Sequence, residues 1–388
     1  HLELSGIVHN NSGEELSLTV SLDAEGFLLD DPSSAEQTFS LGSGERAKVS
    51  WWGSVAEVDE IDLTFSVYGG QYSDRTKPEM GEIPVYAYIA PKTYGTSGML
   101  DEASSVLELV SIPKSMNVVG GDLVVEIQTS LTGVLESSVE ALLDKPDYET
   151  IEEKISRTLS ILNLANLAYE TGFASSINPS DAITAVDELL VYLEENQQIT
   201  GGWGWTPTGR TNPYISAYAI FAMQEIQASN MMVDAAMLEA GYDYMFSVLP
   251  SISMLSDNWQ FDRLSFMTFV MARGGRSQVN LIESLFNNRD YLSPWGKAYL
   301  ALAMHSFNPG NPDMATLISD LVGESAVSAG GVHWNHEGIF WWNMDSQVFN
   351  NAVVVYALST IAPDSNLLDD AVRYLMISRE SGSYWSSS

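Results

Sequence analysis

Thr150-Ile151-Glu152-Glu153 is the stretch whose residue types and spacing come nearest to chemistry. A threonine hydroxyl acts as a nucleophile when a base and an oxyanion site stand beside it, and the sequence around Thr150 shows neither. The same four residues form a Thr-x-x-Glu capping box: the Thr150 hydroxyl takes the amide of Glu153, and the Glu153 carboxylate returns to the amide of Thr150. Two carboxylates in a first helical turn also suit the helix dipole.

Metal or acid–base chemistry would have to come from the remaining polar clusters. The five histidines are His1, His9, His305, His333 and His336, and only the last two are close in sequence. His333-Trp334-Asn335-His336-Glu337, with Asp345 beyond, offers an i, i+3 pair without a third placed ligand. A hairpin-like surface loop packed down by Trp334, Trp341 and Trp342 explains it as well. Asp257, Asp262, Glu337 and Asp345 lie in or near loops and have the types needed to flank a scissile sugar bond. With 51 acidic residues in the chain, carboxylates in loops are expected by chance. There is no cysteine, which removes disulfides, thiolate metal sites and thiol nucleophiles.

The net charge of −34 comes as much from the 17 basic residues being few as from the carboxylates being many. Nucleic acid is not an expected partner, because phosphate contacts need clustered cations. Calcium or a basic partner would suit the surface, but no motif places either, and a solvated acidic face is the simpler reading. No cofactor motif is present. No apolar run approaches the roughly 18 residues of a membrane span.

These residues are carried by two kinds of chain. Residues 1–97 alternate with period two, most clearly at Glu15–Leu22, Ala47–Trp52 and Ile61–Tyr68, with turn clusters such as Asn10-Asn11-Ser12-Gly13 between them; this pattern predicts an antiparallel β-sandwich. Asn10-Asn11-Ser12 also fits a glycosylation acceptor, although a turn accounts for it. Residues 98–134 predict a shorter β segment with strands over 105–110 and 122–128, too short to close a sandwich alone. From about 135 the period becomes 3.6, and helices are expected over 150–171, 180–195, 213–228, 231–248, 258–273, 277–287, 294–306, 311–323, 347–361 and 365–379.

The helical part repeats itself. Asn212-Pro213-Tyr214-Ile215-Ser216-Ala217-Tyr218-Ala219-Ile220-Phe221-Ala222-Met223 lies over Ser293-Pro294-Trp295-Gly296-Lys297-Ala298-Tyr299-Leu300-Ala301-Leu302-Ala303-Met304, matching cap, proline, aromatic, Ala-Tyr and Ala-Met. The loop of Gln197, Gly201, Gly202, Trp203, Gly204 and Trp205 recurs around Gly331 and Trp334, and again at Arg379 to Trp385. Helix pairs tied by such Gln-and-Trp loops predict an α/α toroid, with inner helices lining a barrel and outer helices sheathing it. Tyr214, Tyr218, Phe221, Trp295 and Tyr299 fall at helical spacing, so core packing explains them without a ligand groove.

An acidic sandwich, a short β segment and a toroid containing Gly-Gly-Trp-Gly-Trp and Asn-Pro-Tyr-Ile-Ser-Ala-Tyr-Ala, in that order, resemble the C-terminal half of bacterial α-macroglobulins. These are relatives of the complement thioester proteins, and the resemblance extends over essentially the whole chain. It implies a macroglobulin domain over 1–97, the first half of a split CUB-like domain over 98–134, and a thioester-type toroid of terpene-cyclase-like fold over 135–388. Glu136 to Leu159 falls where the family leads into its reactive Cys-x-Glu-Gln motif, and aligning Ser156-Arg157 with the phrase after that motif puts Thr150 on the cysteine, Glu152 on the glutamate and Glu153 on the glutamine. Without a thiol the internal thioester cannot form. The terpene-cyclase acid motif is missing as well, since Leu368-Asp369-Asp370 sits on a helix as ordinary surface.

The expected function is therefore non-enzymatic and extracytoplasmic: non-covalent entrapment of proteases or surface defence, with protein partners. The alternative is a structural subunit of a surface layer or filament built on the same scaffold. His1 opens directly as a strand, and Trp385-Ser386-Ser387-Ser388 stands where a last helix pair would begin, so the chain is expected to be part of a longer one.

Overall fold

The computed structural model describes residues 1–78, 81–86, 149–172, 177–276, 278–328, 330–336 and 340–379, with scattered positions over 92–127 and single residues 135, 175 and 385. The chain divides into two units, His1–Pro91 and Lys92–Ser388.

The first unit is made of antiparallel strands: β1 (Leu2–His9), β2 (Leu16–Glu25), β3 (Phe27–Leu29), β4 (Glu36–Leu41), β5 (Arg46–Val55), β6 (Glu60–Gly69), β7 (Tyr72–Thr76) and β8 (Ile83–Pro84). One sheet runs β1-β5-β3 and the other β4-β2-β6-β7, with β8 also pairing β6. Alternation decides which side chains are dry. Leu18, Val20 and Leu22 of β2 point inward and the residues between them outward. Val20 and Leu22 meet Phe27, Val49, Trp51, Ile61 and Leu63 in the core. Trp51 satisfies its indole by donating to the Ser34 carbonyl at 2.9 Å. Asn10 is 3% exposed. Its amide donates to the carbonyls of Glu14 and Leu41 and its oxygen accepts from Ser12, so this asparagine pins a turn and does not present itself for glycosylation.

The strands expected over 105–110 and 122–128 are not formed among the described residues of those stretches. Leu107, Leu109, Val124 and Ile127 are exposed. Alternation favours a strand, but a ladder needs a partner for its N–H and C=O groups, and none pairs there among the described residues.

The second unit contains ten α-helices among the described residues: α1 (Ile151–Thr171), α2 (Pro179–Asn196), α3 (Pro213–Ala228), α4 (Ala235–Val248), α5 (Asn258–Arg273), α6 (Val279–Asn287), α7 (Pro294–Phe307), α8 (Pro312–Gly323), α9 (Gln347–Ile361) and α10 (Leu368–Ile377). Each odd helix packs on the next odd helix and on the even helix that follows it. Burial follows the same division. In α7 every residue from Trp295 to Met304 is buried, while α2 buries only the stripe Ala182, Val186, Leu189 and Leu193. A helix apolar all round must be surrounded, and one with a single stripe sheathes something else. The odd helices are thus the inner layer and the even helices the outer layer.

The helices expected from 231 and 365 start later, the second at Leu368, and the loop before α9 holds two strands. The helix expected from 231 begins at Ala235, because Asn230 turns to φ 61° and the Asp234 carboxylate caps the amide of Met237. Between α8 and α9 the chain forms a two-stranded hairpin, β9 (Ser325–Ser328) and β10 (Gly331–Trp334). Trp334, the last residue of β10, is fully buried, whereas Trp342, expected to pack the loop down, is 48% exposed.

Candidate functional site

The start of α1 carries the candidate reactive positions. Thr150 is the N-cap: its hydroxyl oxygen accepts the Glu153 amide at 3.1 Å, and the Glu153 carboxylate accepts the Thr150 amide at 2.8 Å and hydroxyl at 2.9 Å. Two of the four orphan donors of the helix start, the Thr150 and Glu153 amides, are thereby satisfied, and the hydroxyl is tied to an acid. Glu152 is buried and accepts the Ser156 hydroxyl at 2.7 Å, and the Ser156 oxygen lies 2.9 Å from the Tyr218 hydroxyl on α3. Burial, with the nearby Glu152 charge adding to it, drives the Tyr218 phenol far above the usual tyrosine range. Glu149, just before the cap, is gripped by Arg157 at 2.7 Å, and its carbonyl accepts the Tyr192 hydroxyl.

The glycine–tryptophan loop touches this same start. The Ile151 amide donates to the Trp205 carbonyl at 3.1 Å, so the cap of α1 rests on the loop that precedes α3. Within the loop, Gln197 donates to the carbonyls of Gly201 and of Met237 in α4. Gly201 adopts φ +88°, and a Cβ there would lie 2.2 Å from the Ala240 carbonyl of α4. Gly202 has no room either, since a Cβ would meet the Tyr244 ring at 2.6 Å. The Trp203 indole donates to the Leu193 carbonyl at the end of α2, while its backbone amide and carbonyl both bond the Ser216 hydroxyl on α3. Asn212 caps α3, Pro213 fills its first position, and the buried Tyr214 ring packs on Phe266.

The hairpin before α9 reproduces this arrangement with different residues. Gly331, at φ +122°, approaches the Asp370 carbonyl of α10 as Gly201 approaches Ala240. Trp334 donates its indole to Leu321 of α8 at 2.6 Å, and Trp385 donates to Leu375 of α10 at 2.7 Å. Where Ser216 serves the backbone of Trp203, Asn351 accepts the Trp334 amide, and Asn350, Asn351 and Gln347 donate to its carbonyl. Sequence reasoning paired the loops but passed over these partners. Asn350-Asn351 inside an otherwise apolar helix was the available signal.

A second buried polar group lies around the segment that leads into α9. His336 Nε2 is 3.0 Å from Asp345 Oδ2, with both side chains almost fully buried. The other Asp345 oxygen accepts the Phe340 amide at 2.7 Å. Asp262, on α5 and 2% exposed, accepts the Ser293 amide at the cap of α7. Burial raises its carboxyl to about 7 against the pull of the Ser293 bonds and the nearby His336. Arg263, beside it on α5, donates to Asn343 Oδ1 and to the Trp342 carbonyl, and Asn343 returns a bond to Trp259.

Of the residues with metal or glycosidase potential, the structure joins some and separates others. His333 stacks on Tyr374 and has no part in the His336–Asp345 pair. Among the described residues no group of three or more acidic or histidine side chains is placed to hold a metal ion. Asp257 stands at the exposed start of α5, Asp262 and Asp345 are closed off from solvent, and Glu337 lies outside the described residues. Asp257, Asp262 and Asp345 therefore do not make a pair facing across an open cleft.

The architecture has known counterparts. A crystal structure of native α-2-macroglobulin from Escherichia coli, spanning domain MG7 to the C-terminus, matches 97% of this chain and 59% of its own at 15% identity, with TM-score 0.51. Salmonella α-2-macroglobulin reacted with methylamine matches 97% of this chain and 24% of its own at 16% identity, also with TM-score 0.51. At such identities the likeness is one of fold. By sequence, circularly permutated Ras protein 2 of Dictyostelium discoideum is 20% identical over 200 residues, covering 51% of this chain and 5% of that protein. No family model matches the chain. Among the described residues no helix is long and apolar enough to cross a membrane.

Proposed function

We propose that this chain is part of an extracytoplasmic α-macroglobulin-like protein that works without a thioester, holding proteases non-covalently or serving in surface defence. The observation that carries the reading is the match of fold over 97% of the chain to the C-terminal region of E. coli α-2-macroglobulin, in a sequence with no cysteine. Under the alignment of Ser156-Arg157, the place of the reactive pair is taken by Thr150 and Glu153, which are bonded to each other as a helix cap. Such a site positions α1 and offers no acyl group to a captured protein. Retention of a protease would then rest on shape change in the complete protein.

The test uses the full-length protein incubated with a protease. Cleavage of a large protein substrate is expected to fall while cleavage of a small chromogenic peptide persists, and denaturing electrophoresis is expected to show no covalent adduct. Undiminished cleavage of the large substrate would overturn the proposal.

A further inference from the structure

The two sheets of the first unit are unequal. Three strands, β1-β5-β3, face the four of β4-β2-β6-β7, so one flank of the larger sheet has no strand above it. That flank lies beside β1. Gly6 of β1 stands over β6, where a Cβ would lie 3.9 Å from the Phe65 side chain. The inward residues on this side, Leu4 and Val8 of β1 and Phe65 and Val67 of β6, are only half-buried, whereas Val49 and Trp51 of β5 are closed off.

The flank holds a cleft of about 260 Å³. Val8, Leu16, Leu18 and Val67 supply its apolar wall, and β7 supplies its mouth. Tyr72 and Asp74 stand opposite Gly69 and Val67 in the β6–β7 ladder, which turns them to the same inner face. The Asp74 carboxylate accepts the Arg75 main-chain amide at 2.8 Å, and no ion pair reaches it among the described residues, not even from His9 at the same mouth. A carboxylate without a cation thus stands over an apolar wall.

The two edges that border the cleft differ. β7 is five residues long and carries Asp74 inward, and shortness and an inward charge both discourage strand pairing. β1 is eight residues long, has no proline and turns Leu2, Leu4, Gly6 and Val8 inward. On its side away from β5 no strand pairs with it among the described residues.

We propose that β1 takes a fourth strand at this edge: an extended segment of a partner protein pairs with β1 and lays a lysine or arginine from its inward side into the cleft. Main-chain bonds to β1 supply the affinity and the cleft supplies the choice of side chain. The aliphatic stem of the cation covers Val8 and Val67, and its charged head meets Asp74. The net charge of −34 draws a basic segment toward the chain and opposes a second acidic copy. The inference does not rest on protease binding.

The test uses the whole chain and two synthetic peptides, acetyl-Thr-Val-Thr-Lys-Thr-Val-Thr-amide and the same peptide with norleucine in place of lysine. Calorimetric titration should give the lysine peptide an affinity about fivefold above the norleucine one, the worth of one exposed ion pair. That preference should vanish in Asp74→Asn. Hydrogen exchange read by mass spectrometry should slow over residues 2–9 when the lysine peptide is bound and stay unchanged over 72–76. Absence of binding, equal binding of the two peptides by wild type, a preference that survives in the variant, or slowing at 72–76 instead of 2–9 overturns the proposal. Self-association that slows 2–9 without any peptide gives the edge to a second copy and overturns it too. Should Asp74→Asn not fold, the wild-type comparison of the two peptides, with the exchange pattern, decides.

Discussion

The indole of Trp203 donates to the main-chain carbonyl of Leu193 at 2.8 Å, closing the end of α2 onto the loop that starts α3. Trp334 and Leu321 do the same for α8, and Trp385 and Leu375 for α10. A helix end leaves carbonyls without partners, and in a packed toroid no water reaches them, so a long aromatic donor from the next loop is a repeated solution to one recurring need.

Replacing Trp203 by Phe keeps most of the ring's packing and strands the Leu193 carbonyl. The expected loss is about 1–3 kcal/mol of unfolding free energy in urea, and Trp334→Phe should fall in the same range. A change below about 0.5 kcal/mol in both would show that the indole bonds are incidental.

Gly201→Ala should be costlier than its size suggests. The residue is at φ +88° and its added carbon would stand 2.2 Å from the Ala240 carbonyl, so either α4 moves or the loop does. We expect more than about 2 kcal/mol of destabilisation, with Gly331→Ala behaving alike against Asp370. Thermal unfolding of the two variants beside Gly323→Ala, where a Cβ meets nothing within 4 Å, separates this clash from ordinary glycine effects.

Thr150→Ala removes one half of the α1 cap while Glu153 retains the other. The cost should be about 1 kcal/mol, and Thr150→Ser should restore most of it. Near-zero cost would mean that the Ile151–Trp205 backbone bond anchors the start of α1 unaided.

Stability should carry a pH signature from Asp262. Its folded-state carboxyl lies near 7, above the value near 3.9 expected for an unfolded aspartate, so between these values the folded chain holds a proton that the unfolded chain has released. Stability from this group is complete below about pH 4, declines as pH rises toward 7, and is flat beyond. The difference in unfolding free energy between wild type and Asp262→Asn, measured across that window, should therefore fall with increasing pH. A constant difference would place the titration elsewhere.

The sequence alone determined the kinds of layer. Period-two alternation around Leu18, Val20 and Leu22 produced a strand, and the run of Trp295 to Met304, apolar on every face but for Lys297, produced an inner helix, because burial of a local face is written in local spacing. The capping box at Thr150 and the Trp203 loop were legible for the same reason, since their partners are three to ten residues away. Tertiary structure decided what spacing cannot encode. It sent His333 to Tyr374 and His336 to Asp345, brought Arg263 up to a segment some eighty residues further on and Asp262 to the cap of α7, and set Ser216 and Asn351 to the same task in different repeats. Those choices depend on which helix ends meet. Long-range packing sets that meeting, and it also decides whether a carboxylate in an acidic chain faces water or is sealed from it.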